Sequence, residues 1–351
     1  MKNILIVATS YKGGEKTHID FLIKYLHSDF NFFLISSNLT SFFKIYKLIK
    51  DQKIDLIHCH GLKAAFFVRL LKLFCYCFAK KLPPLIVTIH GFHYARYKNF
   101  LKKMFFLYLE RMFSKLQDFT IAVSEDDKEL ILKYRCADPQ KIGVIVNGVD
   151  LTYQSGVPLE AEQELNDRKI DTEKDILIYG IGVLELVKGW SIVLKAAKEV
   201  CQKNDKVKFL IFGQGSLKQK MKQEIVTAGL QEKFFLMGKR NNMRDWLRLA
   251  SMYVGASAYE AGLSFVMMEA MAERVPLIVS DGDGYSVIKD RREVYIFKRD
   301  DDQELARKIL YLISDKEVQQ QFKKHSWDLL CSKYDVKEMV AKTKQVYSKV
   351  V

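Results

Sequence analysis

Two glutamates stand on either side of the start of an apolar helix predicted in the C-terminal half of the chain. Glu260 and Glu269 are separated by eight residues, and the neighbours of Glu269 are almost all apolar. A carboxylate in apolar surroundings costs free energy unless a partner satisfies it, and ribose hydroxyls are donors that a carboxylate accepts as a pair. The alternative, a glutamate that points along the helix to solvent, fits the apolar periodicity poorly. The pattern therefore favours a binding role for Glu269.

Paired glycines follow three predicted strands, at the points where each strand should lead into a helix. The pairs are Gly13 with Gly14, Gly180 with Gly182, and Gly213 with Gly215. Glycine lets backbone N–H groups approach a phosphate, and the next helix adds a positive N-terminal end. Glu185 and Lys218 stand where the third glycine of a dinucleotide-binding fingerprint would fall, so no such fingerprint is present. A plain tight turn is the alternative for each pair.

Lys188 lies where the loop after Gly182 enters the next predicted helix. A lysine at this place is a point charge that suits a diphosphate. An exposed lysine at a helix start is equally compatible with the spacing, so both interpretations stay open.

Four of the seven histidines fall in two turns at the ends of predicted strands. They are His58, His60, His90 and His93. Metal binding is disfavoured because no carboxylate or cysteine set stands at ligand spacing. The pattern favours neutral imidazoles that hydrogen-bond a hydroxyl or carbonyl of a substrate.

The composition describes a globular chain of about two domains. The chain has 351 residues, of which 49% are hydrophobic and 28% are charged, and six cysteines without a C-x-x-C pair, which indicates reduced thiols. No signal-peptide pattern or membrane-spanning run is recognisable. Of the formal net charge of +14, residues 60–118 carry +9, from 11 Lys or Arg against two acids. This region is expected to meet something anionic.

Short β-rich runs alternate with helical patterns twice along the chain, which predicts two doubly wound α/β domains with parallel sheets. The first Rossmann-like domain is expected at residues 1–155, an acidic linker at 156–175, and the second at 176–325. Residues 326–351 are expected to form a helix that returns towards the first domain. Ligands of such sheets bind at the carboxyl ends of the strands, so the site is expected in a cleft between the domains.

The basic region contains two predicted helices, at residues 62–80 and 99–116. Lys72 lies on a polar stripe of the first, while Lys102, Lys103 and Phe106 share a face of the second. Cations interleaved with an aromatic residue suit contact with an anionic membrane surface or a lipid-linked acceptor. The alternative is a solvated lysine face above core phenylalanines. No motif for nucleic-acid recognition is present.

These residues belong to a wider pattern that resembles the retaining GT-B glycosyltransferases of family 4. The motifs run along nearly the whole chain: Gly13-Gly14, IDLIHCHG, VTIHGFH, IAVSEDDKELI, IGVIVNGVD, VKGWSIVLKAAKEV, FLIFGQGSLKQKM, SAYEAGLSFVMMEAMAERVPLIVSD and GDGYSVI. The resemblance implies a GT-B fold in which the second domain holds a nucleotide-diphosphate sugar and the first domain holds the acceptor.

The resemblance also implies roles for individual residues. His90 is expected near the C6 position of the transferred sugar and the reaction centre, and Glu260 is expected to address that sugar. Glu269 is expected on the donor ribose and Lys188 on the diphosphate. The turn that starts at Gly238 is expected to contact the base. The full set expected to bind the donor is Gly14, Lys188, Gly213, Gly238, Lys239, Met243, Gly262, Leu263, Ser264 and Glu269.

Two positions depart from the family pattern. Val183 stands where the family has an arginine on the diphosphate, and the family has one residue fewer between its two glutamates. Loss of a charge-assisted phosphate contact costs about 1.5 to 3 kcal/mol unless it is replaced, and Lys239 and Arg240 are nearby candidates. Either a bulged turn re-aims Glu260 or its role is lost. A catalytically weak relative that binds a glycan or a partner is therefore the alternative function.

The resemblance implies retaining transfer of a sugar to a lipid-linked or cell-surface glycan precursor of the capsule, exopolysaccharide or lipopolysaccharide type. No metal and no cofactor are expected, with the nucleotide sugar as co-substrate. Asp281-Gly-Asp283 reads as D-x-D, but it follows a predicted strand and matches a family loop that binds no metal. The expected location is cytoplasmic and peripheral, at the inner face of the cell membrane.

Overall fold

The computed structural model describes residues 1–9, 11–37, 41–154, 156–282, 288, 290 and 292–351. These residues form two compact units, one of residues 1–148 with 336–351 and one of residues 149–335. Each unit is built on a parallel sheet in which six strands are described. The predicted α/β architecture with two doubly wound sheets is confirmed.

The first sheet has the strand order β2-β1-β3-β4-β5-β6. Its strands are β1 (Lys2–Ala8), β2 (Phe30–Ser36), β3 (Leu56–His60), β4 (Leu85–Ile89), β5 (Phe119–Ala122) and β6 (Ile142–Val144). The helices between them are α1 (Gly13–Leu26), α2 (Ser41–Asp51), α3 (Leu62–Cys77), α4 (Phe100–Phe113) and α5 (Glu125–Lys133). All residues of β3 and β4 are buried because helices cover both faces of the sheet.

The second sheet has the strand order β12-β11-β10-β7-β8-β9. Its strands are β7 (Ile176–Ile181), β8 (Val207–Phe212), β9 (Phe234–Gly238), β10 (Met252–Gly255), β11 (Leu277–Ser280) and β12 (Tyr295–Phe297). The helices of this unit are α6 (Leu159–Asp167), α7 (Trp190–Lys203), α8 (Lys218–Thr227), α9 (Met243–Leu247), α10 (Phe265–Ala272), α11 (Asp302–Ser314) and α12 (Lys316–Lys333).

The strand orders reverse between β1 and β3 in the first sheet and between β7 and β10 in the second. At such a point the loops at the carboxyl ends of neighbouring strands diverge and leave a crevice for ligands. The loops after β7 and β10 carry Lys188 and Glu260, Gly61 follows β3, and Gly14 lies in the first turn of α1, the helix after β1. The topology therefore positions three of the predicted site residues, Gly14, Lys188 and Glu260.

The last helix, α13 (Val336–Val350), belongs to the first unit. Its residues Val336, Met339 and Tyr347 join the core formed by β1 and α1. The units divide at residues 148 and 335, whereas the sequence placed the boundaries at 155 and 325.

The acidic stretch predicted as a linker, residues 156–175, contains the helix α6 and lies in the second unit. Ala161 and Leu165 of this helix are fully buried. The sequence pattern missed the helix because two apolar residues four positions apart, among many acids, are too few to reveal a helical period.

Candidate functional site

The loops after β7 and β10 bring a lysine and a glutamate together in the second unit. Ala258 donates a backbone hydrogen bond of 2.8 Å to the carbonyl oxygen of Val187, which ties the two loops to each other. Beside this link the Lys188 ammonium forms an ion pair with Glu260, and their side chains are 22% and 16% exposed. The Glu260 carboxylate thus lies beside Lys188, with the extra residue between the two glutamates in place.

The glycines of these loops are required by close chain packing. Gly189 has a φ of +64°, and a Cβ there would lie 2.2 Å from the carbonyl oxygen of Ala256. A Cβ on Gly213 would lie 1.8 Å from the carbonyl oxygen of Gly182. Packing alone thus accounts for these glycines, and a phosphate contact at Gly213 stays a prediction.

Glu269 lies in α10, the helix that follows the loop of Gly262, Leu263 and Ser264. The Ser264 hydroxyl caps α10 by accepting a hydrogen bond from the amide of Met267. Among the described residues the Glu269 carboxylate has no hydrogen-bond or ion-pair partner. Its loss of hydration raises its pKa to about 7, although nearby Arg244 opposes the shift.

Arg244, in α9, is the cation whose charge acts on Glu269, but its guanidinium binds other groups. Its guanidinium pairs with Glu273 and donates to the backbone carbonyl of Asp150. Glu269 is therefore an unpartnered carboxylate in a poorly hydrated place, which is the setting a pair of ligand hydroxyls would satisfy.

The predicted base-contacting turn follows β9. Gly238 has a φ of +75° and accepts a hydrogen bond of 2.9 Å from the Gly213 amide, so this turn adjoins the glycine turn after β8. Lys239 is exposed, and Met243 begins α9. Arg240 pairs with Glu164 of α6 and lies 5.2 Å from the centre of the Trp246 ring.

Arg240 does not replace the arginine that the family places on the diphosphate, because the Arg240 guanidinium already pairs with Glu164. The Val183 side chain is 52% exposed, and its carbonyl oxygen accepts a 2.8 Å hydrogen bond from the indole of Trp190. Lys239 is the exposed cation of this turn, and the sequence had named it as a substitute.

Four histidines of the first unit form one cluster. His58 and His60 lie two positions apart on β3 and therefore face the same side of the sheet, and His90 directly follows β4. The His60 ring centre is 4.2 Å from that of His58, 5.3 Å from His90 and 5.2 Å from His18 of α1. The sequence pattern missed His18, which lies in a helix and outside the two histidine turns.

The members of this cluster differ in access to ligands. His58 is buried and bonded to the Tyr347 hydroxyl at 2.6 Å and to Thr88 Oγ1 at 2.7 Å. The expectation that His58 faces a substrate is therefore wrong, because α13 covers it. His90 is half-buried and lines a cavity of about 640 Å³.

The cavity beside His90 has a polar part and an aromatic part. Its polar lining includes Glu15, Lys63 and His93, and its aromatic lining includes Tyr94 and Phe106. Gly14 is exposed in the first turn of α1, where Lys12 provides no side-chain cap.

The residues predicted as a membrane face make internal contacts. Lys72 pairs with Asp118 at 2.8 Å, Lys102 lies 4.7 Å from the centre of the Tyr97 ring, and Lys103 lies 5.1 Å from the centre of the Tyr134 ring.

Phe106 is not the exposed apolar residue that the pattern indicated. Its ring is stacked on Tyr94 at 5.0 Å, in the wall of the cavity. Lys102, which the sequence placed on the same face of α4, is exposed.

Another face of α4 exposes large apolar side chains, which we call the α4 apolar face. Its members are Phe100, Leu101, Met104, Phe105, Tyr108 and Met112. Their spacing follows a helical period, so the sequence contained the signal, but apolar periodicity does not distinguish a core face from an exposed one.

The described ranges contain neither a cluster of metal ligands nor a membrane-spanning helix. No group of three or more His, Cys, Asp or Glu side chains there could hold a metal ion. No helix in the same ranges is long and apolar enough to cross a membrane. Asp281 accepts a hydrogen bond from the Arg299 amide at 2.7 Å, while Asp283 lies outside the described residues.

Comparison with solved structures shows the fold. The chain matches the structure of Anabaena HepE in complex with UDP and glucose with a TM-score of 0.83 and 15% identity, over 99% of this chain and 100% of that one. It matches sucrose-phosphate synthase from Thermosynechococcus elongatus with a TM-score of 0.77 and 14% identity, over 99% of both chains. The GT-B fold is thereby confirmed.

Comparison with sequences shows the family. The chain is 26% identical over 320 residues to the UDP-Gal:alpha-D-GlcNAc-diphosphoundecaprenol alpha-1,3-galactosyltransferase of Escherichia coli, covering 90% of this chain and 80% of that enzyme. It is 27% identical over 154 residues to the poly(ribitol-phosphate) alpha-N-acetylglucosaminyltransferase of Staphylococcus aureus, covering 43% and 31%. The family described as Glycosyltransferase Family 4 matches residues 3–153, and Glycosyl transferases group 1 matches residues 161–327. The chain therefore belongs to the family 4 glycosyltransferases of the GT-B fold and is an enzyme of the hexosyltransferase type.

Proposed function

We propose that this enzyme transfers a sugar from a nucleotide-diphosphate sugar to a lipid-linked or cell-surface glycan precursor, with retention of the anomeric configuration and without a metal. The observation that carries the proposal is Glu269, a poorly hydrated carboxylate without a described partner. It shares the second unit with the Lys188 and Glu260 pair.

The donor is proposed to bind at the carboxyl edge of the second sheet. The two ribose hydroxyls donate to Glu269, which satisfies its carboxylate. The diphosphate binds Lys188 and competes with Glu260 for its ammonium. Glu260, released from part of this ion pair, is then available to hydroxyls of the transferred sugar. Lys239 supplies a further positive charge where Val183 replaces the family arginine.

Transfer requires stabilisation of the negative charge that develops on the leaving diphosphate. Lys188 and the neighbouring backbone amides provide it in place of a metal ion. The acceptor hydroxyl oxygen forms a bond to C1 of the sugar while the bond from C1 to the phosphate oxygen breaks. The acceptor proton passes to that phosphate oxygen, so new bond and leaving group lie on the same face and the configuration is retained.

The acceptor is proposed to occupy the cavity beside His90 in the first unit. The polar part suits hydroxyls and a phosphate, and the aromatic part suits a sugar face or a hydrocarbon segment. A lipid-linked acceptor is supported by the similarity to the Escherichia coli galactosyltransferase, which is named for its action on a diphosphoundecaprenol-linked sugar.

The enzyme is proposed to work at the cytoplasmic side of the cell membrane. The α4 apolar face is flanked by exposed cations at Lys98, Arg111 and Lys115. Apolar side chains beside cations favour insertion at an anionic lipid surface.

Incubation with a panel of UDP-, GDP- and ADP-sugars tests the proposal. Thermal shift reports donor binding, and release of free sugar or nucleoside diphosphate reports chemistry. One nucleotide class is expected to raise the melting temperature and to be hydrolysed slowly without an acceptor. Absence of a shift with every donor would favour the glycan- or partner-binding alternative.

A further inference from the structure

We infer that His60 is a positioning residue that holds His90 in a single tautomer, with the proton on Nδ1, so that His90 presents an N–H donor to the ligand in the cavity. The inference rests on the proposed function, which places His90 at the reaction centre.

The two imidazoles are joined by a hydrogen bond between ring nitrogens. His60 Nδ1 and His90 Nε2 are 3.0 Å apart, and the ring planes differ by 20°. The two ring planes are thus nearly parallel, and the distance between the two nitrogens is that of an N–H to N hydrogen bond. One nitrogen of the pair carries the proton and donates the hydrogen bond, and the other nitrogen accepts that hydrogen bond.

The other nitrogen of His60 decides which ring donates. His60 Nε2 is buried and has no hydrogen-bond partner among the described residues. If His90 Nε2 donated to His60 Nδ1, the neutral His60 ring would carry its proton on Nε2, as a buried N–H without an acceptor. Orphaned buried N–H groups are rare in folded proteins. His60 Nδ1 therefore donates, His90 Nε2 accepts, and neutral His90 carries its proton on Nδ1.

Neither ring takes up a second proton easily. Burial lowers the pKa of both His60 and His90 well below the ordinary value, and the neighbouring histidines add to the shift. The groups that face this pair are His18 from α1 and His58 from β3, both buried and with lowered pKa values. Glu15 of α1, which lines the same cavity, bonds the amide of Thr9.

His18 limits the movement of the pair. Its ring lies edge-on to His90 at 5.0 Å, and its Nδ1 is bonded to the Asn147 side-chain oxygen at 2.9 Å. The His90 ring is thus held on one side by His60 and on another by His18. Nδ1 of His90 makes no hydrogen bond within the described ranges and is left for a ligand.

The consequence is that His90 donates a hydrogen bond to the ligand and does not serve as the base. A His90 that donates from Nδ1 binds an oxygen acceptor, such as a sugar hydroxyl or a phosphate oxygen, and cannot take the acceptor proton at that atom. The proton must go elsewhere, in agreement with its proposed transfer to the leaving phosphate. His60 contributes without touching the ligand.

Nitrogen NMR of protein labelled with ¹⁵N-histidine tests the tautomers directly in the unmodified enzyme. Protonated and bare ring nitrogens have well-separated shifts, and the His90 signals are assigned by their loss in H90Q. The expected result is a protonated Nδ1 and a bare Nε2 in both His60 and His90. A His90 signal from the Nε2-protonated form, or one averaged between tautomers, would overturn the inference.

A matched pair of variants tests the functional part. H60N keeps an amide N–H close to the position of Nδ1, whereas H60Q moves its amide towards the position of Nε2. For the donor that is turned over, H60N is expected to retain kcat, whereas H60Q loses about tenfold in kcat with little change in KM, as expected for one hydrogen bond. Equal losses in H60N and H60Q would show a merely structural role.

The pH profile gives a further readout. Between pH 6 and 8 the unmodified enzyme is expected to show no inflection from His90, because the ring stays neutral. In H60Q the pKa of His90 is expected to rise but to stay below the ordinary value of 6.5, because burial and the neighbouring His18 and His58 remain, so any new inflection should lie below that pH. If no donor is turned over, the proposed function fails, while the NMR result still decides the tautomer.

Discussion

The loops of the second sheet and the helices α3 and α4 of the first unit differ in how their charged side chains are paired. Beside these loops, Glu269 of α10 is a carboxylate without a described partner, and the Lys188 ammonium pairs with Glu260 and with no other acid among the described residues. On the helices, Arg69 is fully buried in a two-bond ion pair with Glu110, with bond lengths of 2.9 and 2.8 Å. A charge that the fold leaves unsatisfied in a poorly hydrated place points to a ligand, whereas a charge satisfied within the fold supports structure.

Lys188→Ala gives the largest expected effect, because the lysine assigned directly to the leaving diphosphate is removed and Lys239 supplies only a further charge. The kcat/KM for the donor should fall on the order of 10²-fold to 10³-fold, since such interactions strengthen as charge develops. Lys195→Ala is the matched control, as an exposed lysine on the helix that follows the same loop. A loss of less than about threefold in K188A would contradict the role of Lys188 as an electrostatic stabiliser.

Glu269→Gln should separate binding from stability. Donor affinity should fall about tenfold or more because a charged acceptor of two ribose hydroxyls is replaced by a neutral one. Without donor, the variant should melt at a higher temperature than the unmodified protein at pH 8.

The sign follows from the two pKa values of Glu269, about 7 in the folded chain against an ordinary 4.5. Below pH 4.5 both states are protonated and the carboxyl costs nothing. Between 4.5 and about 7 only the unfolded state loses the proton, so stability declines as pH rises, by at most about 3 kcal/mol. E269Q should therefore stabilise at pH 8 and not at pH 4.5. Glu273→Gln, which breaks the pair with Arg244, should instead destabilise, and the same melting behaviour in both variants would refute the distinction.

The double variant Leu101→Ser with Phe105→Ser tests the α4 apolar face. Loss of two exposed apolar side chains should weaken co-sedimentation with vesicles of anionic phosphatidylglycerol about 100-fold or more, from about 1.5 kcal/mol or more for each buried side chain. Leu159→Ser, at an exposed apolar position of the second unit, is the control. Unchanged sedimentation of the double variant would remove the membrane proposal, and activity on a water-soluble acceptor should survive.

Lys102→Met should have the smallest effect of the series. Its ammonium lies over the Tyr97 ring at an exposed site, which is worth about 0.5 to 1 kcal/mol. The free energy of unfolding should change by no more than that in a denaturant titration, and vesicle binding should fall less than in the double variant. A larger loss of vesicle binding in K102M than in the double variant would show that Lys102 contacts the membrane and would contradict this prediction.

Physical reasons explain which features of the structure could be predicted from the sequence and which could not. Two parallel sheets were predictable because buried strands read as apolar runs between helices. Glu269 was predictable because a carboxylate among apolar neighbours is conspicuous in the sequence. The place of Phe106 in the cavity wall was not, because helical periodicity gives the spacing of a face and not what packs against it.

The tertiary partners of single side chains were also beyond the sequence. The contact of His58 with Tyr347 joins residues 289 positions apart, and no local pattern indicates it. The helix α6 was not predicted for a local reason, because its two buried apolar residues are too few to reveal a helical period. Spacing thus identified chemistry at strand ends, while packing had to be seen in three dimensions.

The most direct test is a crystal structure of the enzyme with a non-hydrolysable analogue of the donor that gives the thermal shift. Both ribose hydroxyls should lie within hydrogen-bond distance of the Glu269 carboxylate, with Lys188 on the diphosphate and no longer held by Glu260 alone. A nucleotide bound elsewhere, with Glu269 still unpartnered and Lys188 still paired as in the free protein, would contradict the proposed donor site.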